Sequence, residues 1–290
     1  MQVVPAVKPI VPEGLEEETM KNRTYAACVA VSALAFTFPV TPVLADATSD
    51  GIAKYREALA EGNPAELWEM RGEELWKEAR GPKKATLEKC DLGQGPGVVK
   101  GAFVTLPRHF ADTGRVQDLE SRLLTCMETL QGIPADEVAK TPFGKGEQKN
   151  IEALVAWISA ESRGMKFNLP MAHPEEKRMY EIGKRAFNYR GGTHDFGCVT
   201  CHGEDGKRIR LQDLPNLTKG PDAARGFGSW PAYRVSSGEL WSMQRRLNDC
   251  FRQQRFPYPV YGSDVTIALS AYLGVTANGT GESTAPAIKR

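Results

Sequence analysis

Phe196-Gly197-Cys198-Val199-Thr200-Cys201-His202-Gly203 contains Cys-x-x-Cys-His, the attachment motif for c-type haem. Two thiols separated by two residues reach the two vinyl groups of one porphyrin. The adjacent imidazole is then held beneath the iron as an axial ligand. The motif therefore fixes a porphyrin and an iron ligand together: Cys198 and Cys201 as covalent anchors of one haem c, His202 as a ligand to its iron. A thioredoxin-like redox pair would need a βαβ setting, which the surrounding sequence lacks. Half a zinc site would need a second Cys-x-x-Cys, and there is none.

The rest of the composition narrows the setting. The 290 residues have room for two ordinary domains. Lys and Arg number 37 against 36 Asp and Glu, so no global field favours nucleic acid or insertion into a membrane. Near the N-terminus, Lys21 and Arg23 form a basic region, Ala26 to Phe38 an apolar core, and Val43-Leu44-Ala45 a small-residue cleavage site. Pro39 and Pro42 break the apolar run before it could span a bilayer. Residues 1–45 thus read as a signal peptide with an upstream extension. The residues before Met20, carrying Glu13, Glu16, Glu17 and Glu18, do not suit a basic leader, so translation is expected to start at Met20. The mature chain is expected to begin at Asp46, to be soluble and to reside in the periplasm, where disulfides persist.

From there the chain reads as one all-helical domain written twice. A helix over Ala65 to Ala79 carries Gly72 and Trp76 on one face, and a helix over Glu175 to Tyr189 carries Gly183 and Phe187 in the same relation. A small residue one turn before an aromatic permits a close helix crossing. Eighteen residues after Gly72 stands Cys90, and eighteen after Gly183 stands Cys201. Cys90 therefore holds the second thioether position of a decayed haem motif. Leu87 stands for its first cysteine and Asp91 for its histidine, so the first copy cannot hold haem c in the usual way. Further on, residues 119–126 match 243–250 in Arg, Leu and Cys, and residues 152–158 match 267–273 in Ala-Leu-x-Ala-aromatic-aliphatic. The fold class expected is mainly α: two tandem cytochrome c-like domains, the haemless one over 46–164 and the haem-binding one over 165–276. The Gly-, Thr-, Ser- and Ala-rich tail, 277–290, is expected to be flexible.

Of six cysteines, Cys28 leaves with the leader and two hold haem, so Cys90, Cys126 and Cys250 remain. With the porphyrin gone from the first copy, its collapsed pocket can bring Cys90 and Cys126 together as a disulfide. That leaves one thiol over, either reactive or metal-bound. For the sixth iron position two residues compete. Met243 and Cys250 are seven apart, on nearly the same face of a helix over Met243 to Arg255. Methionine would raise the potential for electron transfer; a thiolate would stabilise ferric iron. The odd thiol favours Cys250; His173 and His194 precede the motif and are weaker candidates, His194 reading most simply as a loop residue. Arg246 lies one turn before Cys250, among Arg245, Arg252 and Arg255. A guanidinium there would lower a thiol pKa and bind an oxyanion such as thiosulfate through two parallel hydrogen bonds.

Cys90-Asp91-Leu92-Gly93, Leu106-Pro107-Arg108 and Glu120-Ser121-Arg122 with Cys126-Met127 resemble the first half of SoxA, the larger subunit of the SoxAX cytochrome of thiosulfate oxidation. Cys198-Val199-Thr200-Cys201-His202 and Gln244-Arg245-Arg246 with Cys250-Phe251-Arg252 resemble its second half. Lacking the first Cys-x-x-Cys-His, the sequence is similar to the single-haem type, with a disulfide in place of the other haem. The resemblance implies an L-cysteine S-thiosulfotransferase with Cys250 as axial ligand and active-site cysteine, carried as a persulfide, and with Arg246 contacting substrate. It implies a heterodimer with the small cytochrome SoxX, which receives electrons, and a carrier protein SoxYZ whose SoxY cysteine accepts thiosulfate. Apart from the resemblance, a plain His202/Met243 electron carrier and a haem-thiolate redox sensor remain open.

Overall fold

The structure, a computed structural model, describes residues 50–289 apart from 52, 53, 56, 59, 60, 210 and 211. The expected signal peptide lies outside the described residues, as does part of the helix read over residues 52–61. In chain order the elements are α1 (Ala65–Lys77), the hairpin β1 (Arg108–Phe110) and β2 (Arg115–Gln117), α2 (Leu119–Cys126), α3 (Ala135–Lys140) and α4 (Gly146–Ala160). There follow α5 (Pro174–Asn188), α6 (Cys198–His202), the hairpin β3 (Arg208–Ile209) and β4 (Gln212–Asp213), α7 (Gly220–Phe227), β5 (Ala232–Arg234), β6 (Glu239–Trp241), α8 (Met243–Gln253), α9 (Asp264–Ala277) and β7 (Ala287–Lys289). Side-chain caps set several helix starts. Asp118 accepts from Ser121 N at 2.9 Å to open α2. His173 Nδ1 accepts from Glu175 N at 3.2 Å to open α5, with Pro174 at its first position. His173 thus has a structural task, and its ring stacks on His109 at 3.6 Å.

Two helix pairs organise the interior, α1 on α4 and α5 on α9. They cross at Gly72 and Gly183, and the surroundings of the two glycines correspond. A Cβ on Gly72 would overlap the Ala153 carbonyl and come within 2.8 Å of Trp157 Cβ. One on Gly183 would overlap the Ala268 carbonyl and come within 2.9 Å of Tyr272 Cβ. One turn beyond each glycine an aromatic pair forms, Trp76–Trp157 at 5.6 Å and Phe187–Tyr272 at 5.1 Å. The obstruction in both cases is backbone, which cannot rotate away. Gly72→Ala and Gly183→Ala are therefore each expected to cost about 1–3 kcal/mol from overpacking, read as matched shifts in urea midpoint. A shift at one crossing alone would show that the two are not equivalent.

Cys90 and Cys126 form a disulfide with Cα atoms 5.6 Å apart. Asp91, read in the sequence as standing at the histidine position of a haem motif, has partners of its own. Its carboxylate accepts from Gly93 N and Gly95 N at 2.7 and 3.1 Å, closing a tight loop. Its carbonyl accepts from Arg122 Nε at 2.6 Å, and Arg122 also binds Asp112 at 2.8 Å and lies over Phe110. Arg122, matched to Arg246 in the sequence comparison of the two halves, is 4% exposed, with its Nε and Nη1 both bonded.

The buried core runs without a break from Leu75 to Ala285. Phe103, Phe167 and Phe227 join within it, with ring centroids 5.5–6.4 Å apart. The C-terminal segment corrects an expectation: residues 277–289 are ordered rather than a flexible tail. Gly164 N donates to Ser283 O at 2.8 Å, Ser283 N to Met165 O at 2.9 Å and Gly279 N to Phe167 O at 3.0 Å. Strand β7 then pairs in parallel with β5, Ala232 with Ala287 and Arg234 with Lys289. Its small polar residues show no hydrophobic period, so the sequence hid a segment whose order comes from backbone hydrogen bonds.

Candidate functional site

Helix α6 carries Cys198, Cys201 and His202 into a cleft floored by Phe187, Leu217, Phe227, Leu269 and Leu273. The cleft encloses about 1200 Å³ of space free of protein atoms, part of it open to solvent. His202 Nδ1–H donates to the Pro215 carbonyl at 2.9 Å, which fixes the ring and leaves Nε2 as the nitrogen that could ligate an iron. Burial holds this imidazole below its ordinary pKa, against the Pro215 hydrogen bond, so it is neutral as iron ligation requires. Two thiols, a preoriented neutral imidazole and an apolar floor fit a covalently attached haem c.

Helix α8 forms the facing wall, and Met243, Arg246, Leu247, Cys250, Gln253 and Gln254 at its margin line the cleft. Both candidates for the second axial position therefore reach the same space. Ser242 caps the helix by accepting from Arg245 N at 3.2 Å. The three residues Gln244-Arg245-Arg246 then part company. Gln244 is buried: its backbone N–H donates to Glu120 at 3.1 Å and its side-chain amide to Asp118 at 2.6 Å. Arg245 binds Glu152 at 3.1 Å, pairs with Glu239 and lies over the Trp241 ring. Only Arg246 turns to the cleft, over the Trp230 ring at 5.6 Å, with Asp249 on its Nη1 at 3.0 Å.

Glu120 and Glu152 are 4% and 1% exposed. Burial, with Asp118 adding to it, pushes the Glu120 carboxyl up to about 8. Burial raises Glu152 to about 7 despite the pull of Arg245. Acids of α2 and α4 thus anchor the helix that carries Cys250. The sequence offered one signal for this, the Glu120-Ser121-Arg122 block, but no way to see that Glu120 reaches across to Gln244.

The expected effect of Arg246 on the thiol is present but outweighed. Burial pushes the Cys250 thiol up; Arg246 pulls it down, Asp249 and Cys201 push it further up, and Arg234 also pulls it down. Arg234, at the end of β5, was missed in the sequence because nothing in Ala232-Tyr233-Arg234 marks it. His194 is an exposed loop residue against Phe196 and stays out of the cleft. Among the described residues no helix is long and apolar enough to cross a membrane.

A mainly helical fold with a Cys-x-x-Cys-His helix opening on an apolar cleft defines a c-type cytochrome. The family model for the SoxA/TsdA cytochrome c domain matches residues 71–167, the stretch that contains the Cys90–Cys126 disulfide. The L-cysteine S-thiosulfotransferase subunit SoxA of Hydrogenophilus thermoluteolus is 55% identical over 93% of this chain and 100% of its own length. That of Paracoccus pantotrophus is 27% identical over 75% of this chain and 69% of its own. The crystal structure of SoxXA from P. pantotrophus matches with a TM-score of 0.66 at 25% identity, covering 82% of this chain and 84% of that one. The chain belongs to the SoxA family: it is the SoxA subunit of an L-cysteine S-thiosulfotransferase, a cytochrome c-type transferase of thiosulfate oxidation.

Proposed function

We propose that this SoxA chain is the single-haem type, built from a haemless cytochrome c-like domain over 46–164 and a haem-binding one over 165–276. The matched crossings at Gly72 and Gly183 support the duplication. In this reading Cys198 and Cys201 would hold one haem c, His202 and Cys250 would ligate its iron, Cys250 is the catalytic cysteine and Arg246 binds thiosulfate. The observation that carries it is one cleft lined by all five of these residues. The net reaction joins the outer sulfur of thiosulfate to the thiol of a SoxY cysteine on SoxYZ. An S–S bond forms, an S–H bond breaks, and one proton and two electrons leave. When bound, the haem supplies a one-electron redox centre, and the electrons pass to SoxX, the heterodimer partner. The sulfur on Cys250, carried as a persulfide, is nucleophile and temporary acceptor. The complex works in the periplasm.

Arg246 presents a guanidinium to the cleft while Asp249 holds one edge of it. Lysine would keep the charge but lose the planar fork. Arg246→Lys should lower kcat/KM for thiosulfate roughly ten- to hundredfold, the scale of one charge-assisted contact of about 1.5–3 kcal/mol. Haem content and the ferric spectrum should not change. Arg252, exposed and bound to the same Asp249 carboxylate at 2.7 Å, is the control. Equal loss in Arg252→Lys would assign the effect to Asp249 rather than to substrate contact. A second reading, an electron carrier with His202/Met243 ligation, is favoured by one observation, that Met243 lines the same cleft.

A further inference from the structure

We infer that Arg234 is a second substrate-holding residue, forming with Arg246 a two-guanidinium seat for the sulfonate end of thiosulfate. The inference rests on the thiosulfate reading above and adds the group that completes it. Arg234 ends the central strand β5, held between β6 and β7, and lines the cleft together with Arg246, Cys250 and Lys289. Its guanidinium lies over the Trp241 ring at 5.2 Å. Its Nε is buried with no hydrogen-bond partner, and no ion pair engages it among the described residues. The sheet and the indole fix its direction, so the donor is oriented before any anion arrives.

The electrostatics agree. Burial and the charge of Arg246 both disfavour a proton on Arg234, and Asp249 only partly offsets them. The Asp249 oxygens are already shared among Arg246, Arg252 and Gln253. Two part-buried cations whose nearest shared carboxylate, Asp249, is already divided among three donors are unfavourable unless an anion completes the group. A carboxylate, such as a haem propionate, is a planar monoanion that one fork satisfies. Thiosulfate is a dianion whose sulfonate has an oxygen left over when one fork has taken two. Two guanidinium groups match it in both charge and oxygen number, and both act on Cys250.

The test is anaerobic calorimetric titration of the ferric holoprotein with thiosulfate, without SoxYZ, on wild type, Arg234→Gln and Arg234→Lys. Haem content, the ferric spectrum and the midpoint potential are recorded alongside. Arg234→Gln should raise the thiosulfate Kd roughly ten- to hundredfold, with the lysine variant recovering part of the loss and the potential unchanged. An unchanged Kd in both variants overturns the inference. A shifted potential or ferric spectrum with unchanged Kd also overturns it, and assigns Arg234 to a propionate. If wild type itself does not bind thiosulfate and Arg246→Lys leaves turnover intact, the underlying reading fails instead.

Discussion

Cys250→Met should retain haem, abolish thiosulfate-dependent turnover, and move the ferric spectrum from thiolate-type to His/Met. Haem retention follows because Cys198, Cys201 and His202 all lie on α6, while the altered residue is on α8. The anchors and the Pro215 contact of His202 are untouched. Loss of turnover follows because a thioether has no ionisable sulfur with which to accept and release a sulfane group. The drop should exceed about a thousandfold, the scale on which removing a nucleophile acts. Methionine on the iron would also raise the reduction potential. Near-infrared magnetic circular dichroism of the ferric protein distinguishes the two ligand sets directly. Met243→Ala is the necessary companion, since Met243 lines the same cleft. If that variant changes the ligand signature and Cys250→Met does not, the electron-carrier reading replaces the transferase mechanism proposed for this chain.

What the sequence disclosed, and what it hid, divides along physical lines. Features that depend on spacing within one helix were legible. The Gly72 and Gly183 crossings and the common face of Met243, Arg246 and Cys250 each rest on a period of three to four residues, and the one distant pairing that was read, Cys90 with Cys126, came from counting cysteines. Features built from contacts between distant segments were not. The partition of Gln244, Arg245 and Arg246 into two anchors and one cleft residue depends on Asp118, Glu120 and Glu152, more than ninety residues away. The order of residues 277–289 depends on backbone partners at Met165, Phe167 and β5. Arg234 belongs to the same class: its place is set by a sheet whose third strand is the segment expected to be loose. The influence of Arg246 on the Cys250 thiol was read with the right sign, but burial, which a sequence does not show, outweighs it.

The disulfide is expected to stabilise more of the molecule than the half that contains it. Cys90 and Cys126 are separated by 36 residues, and closing a loop of that length is worth roughly 3–4 kcal/mol in the chain-entropy account. The double variant Cys90→Ala/Cys126→Ala should lose about that much in urea unfolding. Where the loss appears is the sharper question. Cys126 ends α2, whose first turn holds Glu120, and Asp118 caps that turn. These two acids bind Gln244 at the start of α8, the helix of Cys250. The core, moreover, is continuous from Leu75 to Ala285. Loosening α2 should therefore reach the haem cleft through α8, and the chain should unfold in one transition. Far-ultraviolet circular dichroism and haem absorbance should shift together to lower urea. If the dichroism transition moves and the haem transition stays, the two halves unfold independently. The anchoring of α8 by Glu120 and Asp118 would then be a contact without energetic consequence.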